Sequence, residues 1–143
     1  MQTEPNDFSI AVSDEPSQED VDAVVRGLLS YNTARAGAEA PRPLGVVVHQ
    51  RGRLIGGATG VTHWRWLYIS HVWVSEDARR QGVGARIVGA AEDAARRRGC
   101  RAAWLCTFSF QAPGFYRDMG YEEFGALEGF PPGEKLHFFC KSL

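Results

Sequence analysis

The stretch Arg79-Arg80-Gln81-Gly82-Val83-Gly84 sets two close glycines beside two cations, between an apolar run, Trp66–Val74, and a run with helical spacing. A helix starting there leaves its first N–H groups without partners inside the helix, and its dipole favours an anion in front of them. Gly82 and Gly84 let an anion reach the backbone without meeting a Cβ. Arg79, Arg80 and Arg86 add positive charge. The chemistry this spacing points to is the binding of a phosphate or diphosphate. It does not fit G-x-x-x-x-G-K-[ST], because no Lys-Ser/Thr pair follows, nor G-x-G-x-x-G, because Ile87 stands where the third glycine belongs. It fits R/Q-x-x-G-x-G, a pattern of three fixed positions that a plain strand-to-helix turn also satisfies.

The elements around the loop follow from periodicity. Trp66–Val74 (WLYISHVWV) is nearly continuous in apolar and aromatic residues and reads as a central strand buried on both faces. After the loop, Ile87, Val88, Ala91, Ala94 and Ala95 fall on one helical face, with Arg96-Arg97-Arg98 and then Gly99 at the end. Cations in a last turn and glycine just past it suit a helix C-terminus. Upstream, Phe8–Val12 alternates as a first strand, and Ser13, Asp14 and Pro16 suit a helix start. Val21, Val24, Val25, Leu28 and Leu29 carry that helix to about Tyr31-Asn32, and Ala34–Pro43 reads as a loop. Leu44–Val48 and Leu54–Val61 form a hairpin about Gln50–Arg53, with Gly56, Gly57 and Gly60 marking close backbone approach or a bulge. Ala102–Phe108 reads as a strand, Pro113–Met119 as a short helix stopped by Gly120, and Tyr121–Gly125 and Leu136–Cys140 as closing strands.

The chain has 143 residues, enough for one domain, 1–143, with a core of its own. Its formal net charge of −1 argues against a general nucleic-acid or membrane binder. Cys100, Cys106 and Cys140 are odd in number and without metal-site spacing, so three reduced thiols and no metal are expected. The acidic, polar start lacks a secretion signal and no run approaches membrane-spanning length, so a cytoplasmic protein is expected.

Together the loop, its strand and the later segment resemble the GNAT superfamily of acetyl-CoA-dependent N-acetyltransferases. Val72-Trp73-Val74 followed by the Arg-rich glycine loop is similar to the family's central cofactor motif. Ala112, Tyr116 and Gly120-Tyr121 resemble its A-x-x-x-Y-x-x-x-G-[FY] motif, and Thr107–Tyr116 resembles a bacterial branch of small members. The resemblance spans nearly the whole chain. It implies an α/β fold with a mixed, mostly antiparallel sheet of six to seven strands, helices on both faces and a splay at the central strands. It also implies acetyl-CoA as co-substrate, direct transfer in a ternary complex to a primary amine of a small molecule such as an amino sugar or antibiotic, and a homodimer.

Carried onto this chain, the resemblance places pantetheine on the backbone of Val72, Trp73 and Val74. It places the diphosphate on Gln81, Gly82, Val83, Gly84 and Ala85, with Arg79 and Arg80 alongside. Tyr116 resembles the tyrosine that protonates the departing thiolate, and a phenol with a pKa of about 10 still carries its proton at neutral pH. Ser109 stands where many relatives place a pantetheine-binding Asn. Neither Ser70 nor Cys106 supplies the acid that the branch often carries there. His71 is therefore the candidate base, on the opposite sheet face from Ser70 unless a bulge intervenes. Tyr31, Asn32, His63, Trp66 and Ser70 are the candidate acceptor-binding residues, by stacking or polar contact. Without the two acids, a sensor that binds acetyl-CoA with little turnover is the alternative.

Overall fold

The computed structural model describes residues 8–143. The chain divides into two compact units between Ala38 and Glu39. Among the described residues the first contains one helix, α1 (Gln18–Ala36). Ser17 caps it, its hydroxyl accepting the Asp20 N–H at 3.1 Å, so Ser13, Asp14 and Pro16 lie ahead of the cap. Helix α1 continues through Ala34-Arg35-Ala36, where a loop is expected, because alanine and arginine are strong helix formers. It stops at Gly37, whose φ of 87° is costly for any other residue. Phe8–Val12 forms no strand. Alternation over five residues does not by itself make a strand, which needs a partner for its N–H and C=O groups.

The second unit is a six-stranded sheet in the order β1-β2-β3-β4-β6-β5. Its strands are β1 (Arg42–Gln50), β2 (Arg53–His63), β3 (Trp66–Val74), β4 (Ala102–Phe108), β5 (Glu122–Glu128) and β6 (Lys135–Ser142). Every pairing is antiparallel except β3 with β4. The β1–β2 turn has positive φ at both Arg51 and Gly52, the geometry of a two-residue hairpin. Glycine is required along β2: a Cβ at Gly57 or Gly60 would collide with the carbonyl oxygen of Val46 or Tyr68 on the neighbouring strand.

Helices α2 (Val83–Arg97) and α3 (Pro113–Asp118) complete the unit. Val88, Ala91 and Ala95 of α2 and Tyr116 of α3 pack on Leu67, Ile69, Ala103, Leu105 and Phe139 from one face of the sheet. The last turn of α2 is pinned by Arg98, whose guanidinium donates to the Arg42 carbonyl and the Thr62 hydroxyl. Also buried is Glu92, 2% exposed, which receives the Lys141 ammonium at 2.8 and 3.0 Å. Lys141 lies beside the Tyr121 ring. Burial, and secondarily the nearby Glu92 carboxylate, push the Tyr121 phenol well above its ordinary pKa.

Strand β3 is not buried on both faces. Leu67 and Ile69 are in the core, but His71 and Trp73 are exposed. The reason lies in its pairing. Parallel registration with β4 covers Trp66, Leu67 and Tyr68 and then ends, and the remainder of β3 borders open space. Among the described residues, no helix is long and apolar enough to cross a membrane.

Candidate active site

The space opened between β3 and β4 is a cleft of about 1000 Å³. One wall is the second half of β3. Ser75 donates its N–H to the Ile55 carbonyl of β2 at 2.8 Å. Backbone direction alternates along a strand, so the N–H and C=O groups of Val72 and Val74 point the other way, into the cleft. Those of Trp73 serve the β2 pairing opposite Gly57. The Val74 carbonyl receives the Arg79 Nε–H at 3.0 Å, which ties the loop to the strand end.

The floor is the start of α2. A 3₁₀ turn, Glu76–Ala78, leads into Arg79, Arg80 and Gln81, and Gly82 caps the helix in the left-handed region at φ 77°. Gln81 donates its side-chain amide to the Asp77 carbonyl at 3.1 Å, bracing the turn, and Arg53 pairs with the Asp77 carboxylate. The N–H groups of Val83, Gly84 and Ala85 precede the first intrahelical bonds, and all three residues border the cleft. The hydrogen that would become a Cβ at Gly82 faces open space, whereas a Cβ at Gly84 would lie 3.4 Å from the Phe115 ring of α3, an ordinary contact distance. The two glycines therefore differ: Gly82 makes the left-handed turn with open space in front of it, and Gly84 packs beside the Phe115 ring.

Opposite stand β4, with Cys106 and Thr107, the turn after it, with Phe110 and Gln111, and α3, with Tyr116. Tyr116 is 8% exposed yet reaches the cleft. Burial, and then Cys106, hold its phenol above the usual pKa, so it keeps its proton at neutral pH. Burial likewise pushes the Cys106 thiol up, away from the nucleophilic thiolate.

The bulge in β3 decides the disposition of Ser70 and His71. Thr59 pairs with His71 and Gly60 with Ile69, so Ser70 is the extra residue. Both side chains consequently turn to Thr59: its hydroxyl lies 3.0 Å from Ser70 Oγ and 2.8 Å from His71 Nδ1. Both residues line the cleft.

Residues 7–121 match the Acetyltransferase (GNAT) family. The chain belongs to that family. It is an acyltransferase with the mixed, open GNAT sheet. Its relatives include the blasticidin-S acetyltransferase of Streptomyces morookaense, 40% identical over 66% of this chain and 70% of that one. Acetyltransferase Atu2258 of Agrobacterium fabrum is 30% identical over 94% and 98% of the two chains. An acetyltransferase crystal structure from Bacillus cereus superposes with a TM-score of 0.86, at 31% identity over 93% of this chain and 98% of that one.

In this GNAT acetyltransferase the expected residues do not all meet. Val72 to Val74, Arg79, Arg80, Gly82 to Ala85, Ser70, His71 and Tyr116 share the cleft. Ser109 does not line it. Its hydroxyl is bound to the Glu134 carboxylate and accepts the Lys135 N–H at 3.0 Å, closing the β5–β6 turn onto the end of β4. His63 stacks on Trp64, and its Nε2 meets the Glu39 carbonyl at 2.9 Å. Trp66 lies at the paired end of β3 under the Arg101 guanidinium. Tyr31 and Asn32 belong to α1, where Arg35 covers the Tyr31 ring. The sequence alone does not single out two polar or aromatic residues of the cleft, Gln111 and Phe110, nor Thr59 beside it. Gln111 accepts both the Thr107 hydroxyl and the Phe108 N–H, shaping the approach to α3. Phe110 is 59% exposed in the cleft. Thr59 carries no motif and is found only through the strand register.

Proposed function

We propose that this acetyltransferase transfers acetyl from acetyl-CoA to a primary amine of a small antibiotic, by direct attack with both substrates bound. Acetyl-CoA supplies an activated acetyl thioester. The observation that carries the reading is one cleft bordered by three unpaired helix-start N–H groups, the outward backbone of Val72 and Val74, and the side chains of Tyr116 and His71. Val83, Gly84 and Ala85, with Gln81 and Gly82 at the turn, hold the diphosphate, and Arg79 and Arg80 add positive charge. Val72 and Val74 hold the pantetheine amides as a neighbouring strand would. With Ser109 committed to Glu134 and Lys135, the strand backbone carries that grip.

His71 accepts a proton from the acceptor's ammonium, giving a free amine able to attack the thioester carbonyl. Tyr116 gives its phenolic proton to the departing sulfur. The exposed rings of Trp73 and Phe110 offer apolar faces for the acceptor. The blasticidin-S acetyltransferase relationship supports an antibiotic acceptor and an inactivating role, and makes blasticidin S the first compound to test. Residues 1–143 act as one catalytic domain in this reading, which the family match crossing both compact units supports. A cytoplasmic homodimer completes it; sedimentation velocity tests the dimer.

The experiment is incubation with acetyl-CoA and a panel of amines headed by blasticidin S, followed by mass spectrometry of the products and chromatography of free CoA. Acetylated amine with equimolar CoA is the expected result. Tight acetyl-CoA binding with no product across a broad panel overturns it in favour of a sensor.

A further inference from the structure

We propose that Thr59 and Ser70 fix the tautomer of His71, holding the proton on Nδ1 and leaving Nε2 as the bare, proton-accepting nitrogen. The inference deepens the reading of His71 as base and rests on it for its catalytic meaning, but the tautomer itself follows from counting protons. Three contacts meet at the β3 bulge: Thr59 Oγ1 with Ser70 Oγ at 3.0 Å, Thr59 Oγ1 with His71 Nδ1 at 2.8 Å, and Ser70 Oγ with the Thr59 carbonyl oxygen at 3.0 Å. Each hydrogen bond needs one proton. The two hydroxyls supply one apiece, and the carbonyl supplies none. All three contacts are hydrogen bonds only if the third proton comes from the imidazole.

The directions then follow. Ser70 donates to the Thr59 carbonyl, because that oxygen can only accept. Thr59 Oγ1 donates to Ser70 Oγ, whose own proton is already used. Thr59 Oγ1 is left to accept, so His71 donates Nδ1–H to it. With Nδ1 protonated in the neutral ring, the lone pair is on Nε2. A free histidine side chain in water prefers the opposite tautomer, with the proton on Nε2, so the bulge reverses the ordinary preference. Thr59 and Ser70 are positioning residues here, acting through His71. The strand geometry explains why they can. Without the extra residue, Ser70 and His71 would face opposite sides of the sheet and could not share one hydroxyl. Thr59 and His71 are exposed, so substitutions there leave the core intact.

The test is ¹⁵N NMR of the full chain with labelled histidine, at mildly alkaline pH, assigned against His71→Ala. Nδ1 resonating as a protonated nitrogen and Nε2 as an unprotonated one is the expected result; the reverse pattern overturns the proposal, whatever the activity. Two variants sharpen it. Thr59→Val removes the acceptor of Nδ1–H, so the signals should move toward the Nε2–H form and kcat should fall about tenfold with an unchanged KM for acetyl-CoA. Thr59→Ser should restore both. Ser70→Ala frees the Thr59 hydroxyl proton to donate to a bare Nδ1, so it too should shift the tautomer toward Nε2–H; an unmoved spectrum in both Thr59→Val and Ser70→Ala refutes the relay. Failure of the underlying base reading looks different: the NMR pattern is as expected, but His71→Ala keeps the parent's pH–rate profile.

Discussion

From Trp66 to Tyr68, β3 runs in register beside β4, with Leu67 fully buried and Tyr68 stacked on Trp104 at 4.2 Å between ring centroids. From Ser70 to Val74 the same strand has lost that neighbour, and its side chains and backbone border the cleft. Apart from Ser70 and His71 both halves are apolar and aromatic, and those two residues alone do not announce an open edge. What separates them is the bulge at Ser70 and the end of the β4 pairing. The closed half joins the main core; the open half keeps backbone polar groups available. An unpaired strand edge normally invites aggregation. Here it is enclosed by α2, α3 and the loop, which turns the hazard into a place for an extended ligand.

The largest effect expected of a single substitution lies at the open half. Tyr116→Phe keeps the ring that packs against Phe115, Tyr121 and Phe139 and removes only the hydroxyl. Loss of a general acid should lower kcat roughly a hundred- to a thousand-fold. Acetyl-CoA affinity by calorimetry should stay unchanged. A kcat equal to the parent's would remove Tyr116 from the chemistry.

The core that the closed half joins, packed under α2 and against β6, should behave in the opposite way. Lys141 neutralises the buried Glu92 beneath the strands and takes no part in the cleft. Lys141→Ala leaves a buried carboxylate unpaired and should reduce unfolding free energy by about 3 kcal/mol in urea titrations, with kcat unchanged in the protein that remains folded. Loss of turnover without loss of stability would erase the distinction between the halves.

Between these extremes stands the loop. Gly82→Val forces a β-branched residue to φ 77° and puts its side chain into open space at the helix start. Left-handed backbone costs such a residue on the order of 1–2 kcal/mol. Acetyl-CoA should therefore bind about tenfold more weakly, with a smaller change in kcat at saturation. Unchanged affinity would argue that the amides of this turn do not hold the diphosphate.

Much of this contrast was legible in the residues, and the illegible part has a common cause. The glycine loop, the helix behind it and the Arg98-Gly99 stop depend on neighbours in sequence, and all appear where periodicity and capping rules put them. The short helix carrying Tyr116 likewise ends before Gly120. The bulge does not follow from WLYISHVWV alone. It depends on Gly60 allowing β2 to close on the Tyr68 carbonyl, a contact between strands. Ser109 is captured by Glu134, 25 residues away, which no local pattern announces. Phe8–Val12 forms no strand for the converse reason: its local pattern is sound, but five alternating residues do not specify the partner that a strand's N–H and C=O groups need.

The smallest effect belongs to the far rim of the sheet and tests whether acid stability resides away from the cleft. Glu123 lies at the start of β5, bound to His137 of β6 and 3.4 Å from Arg117. The hydrogen bond with His137, ahead of the weaker effect of Arg117, holds its carboxyl below the ordinary carboxylate value. Between the folded and unfolded pKa values the unfolded chain binds more protons, so stability rises with pH across that window. The contribution is fully present above about pH 4.3, the ordinary glutamate value, and is lost as pH falls through the lower folded value. Asp77, held down first by its hydrogen bond with Arg53, adds a trend of the same sign, so the parent's profile alone does not isolate Glu123. The difference between parent and Glu123→Gln does, because Asp77 is common to both. Urea midpoints should show the parent slightly more stable than Glu123→Gln above that value, with the gap narrowing as the solution is acidified. A gap that stays constant through the acid range would mean that the Glu123 charge adds nothing to the fold, and acid sensitivity would then have to be sought nearer the loop, at Asp77.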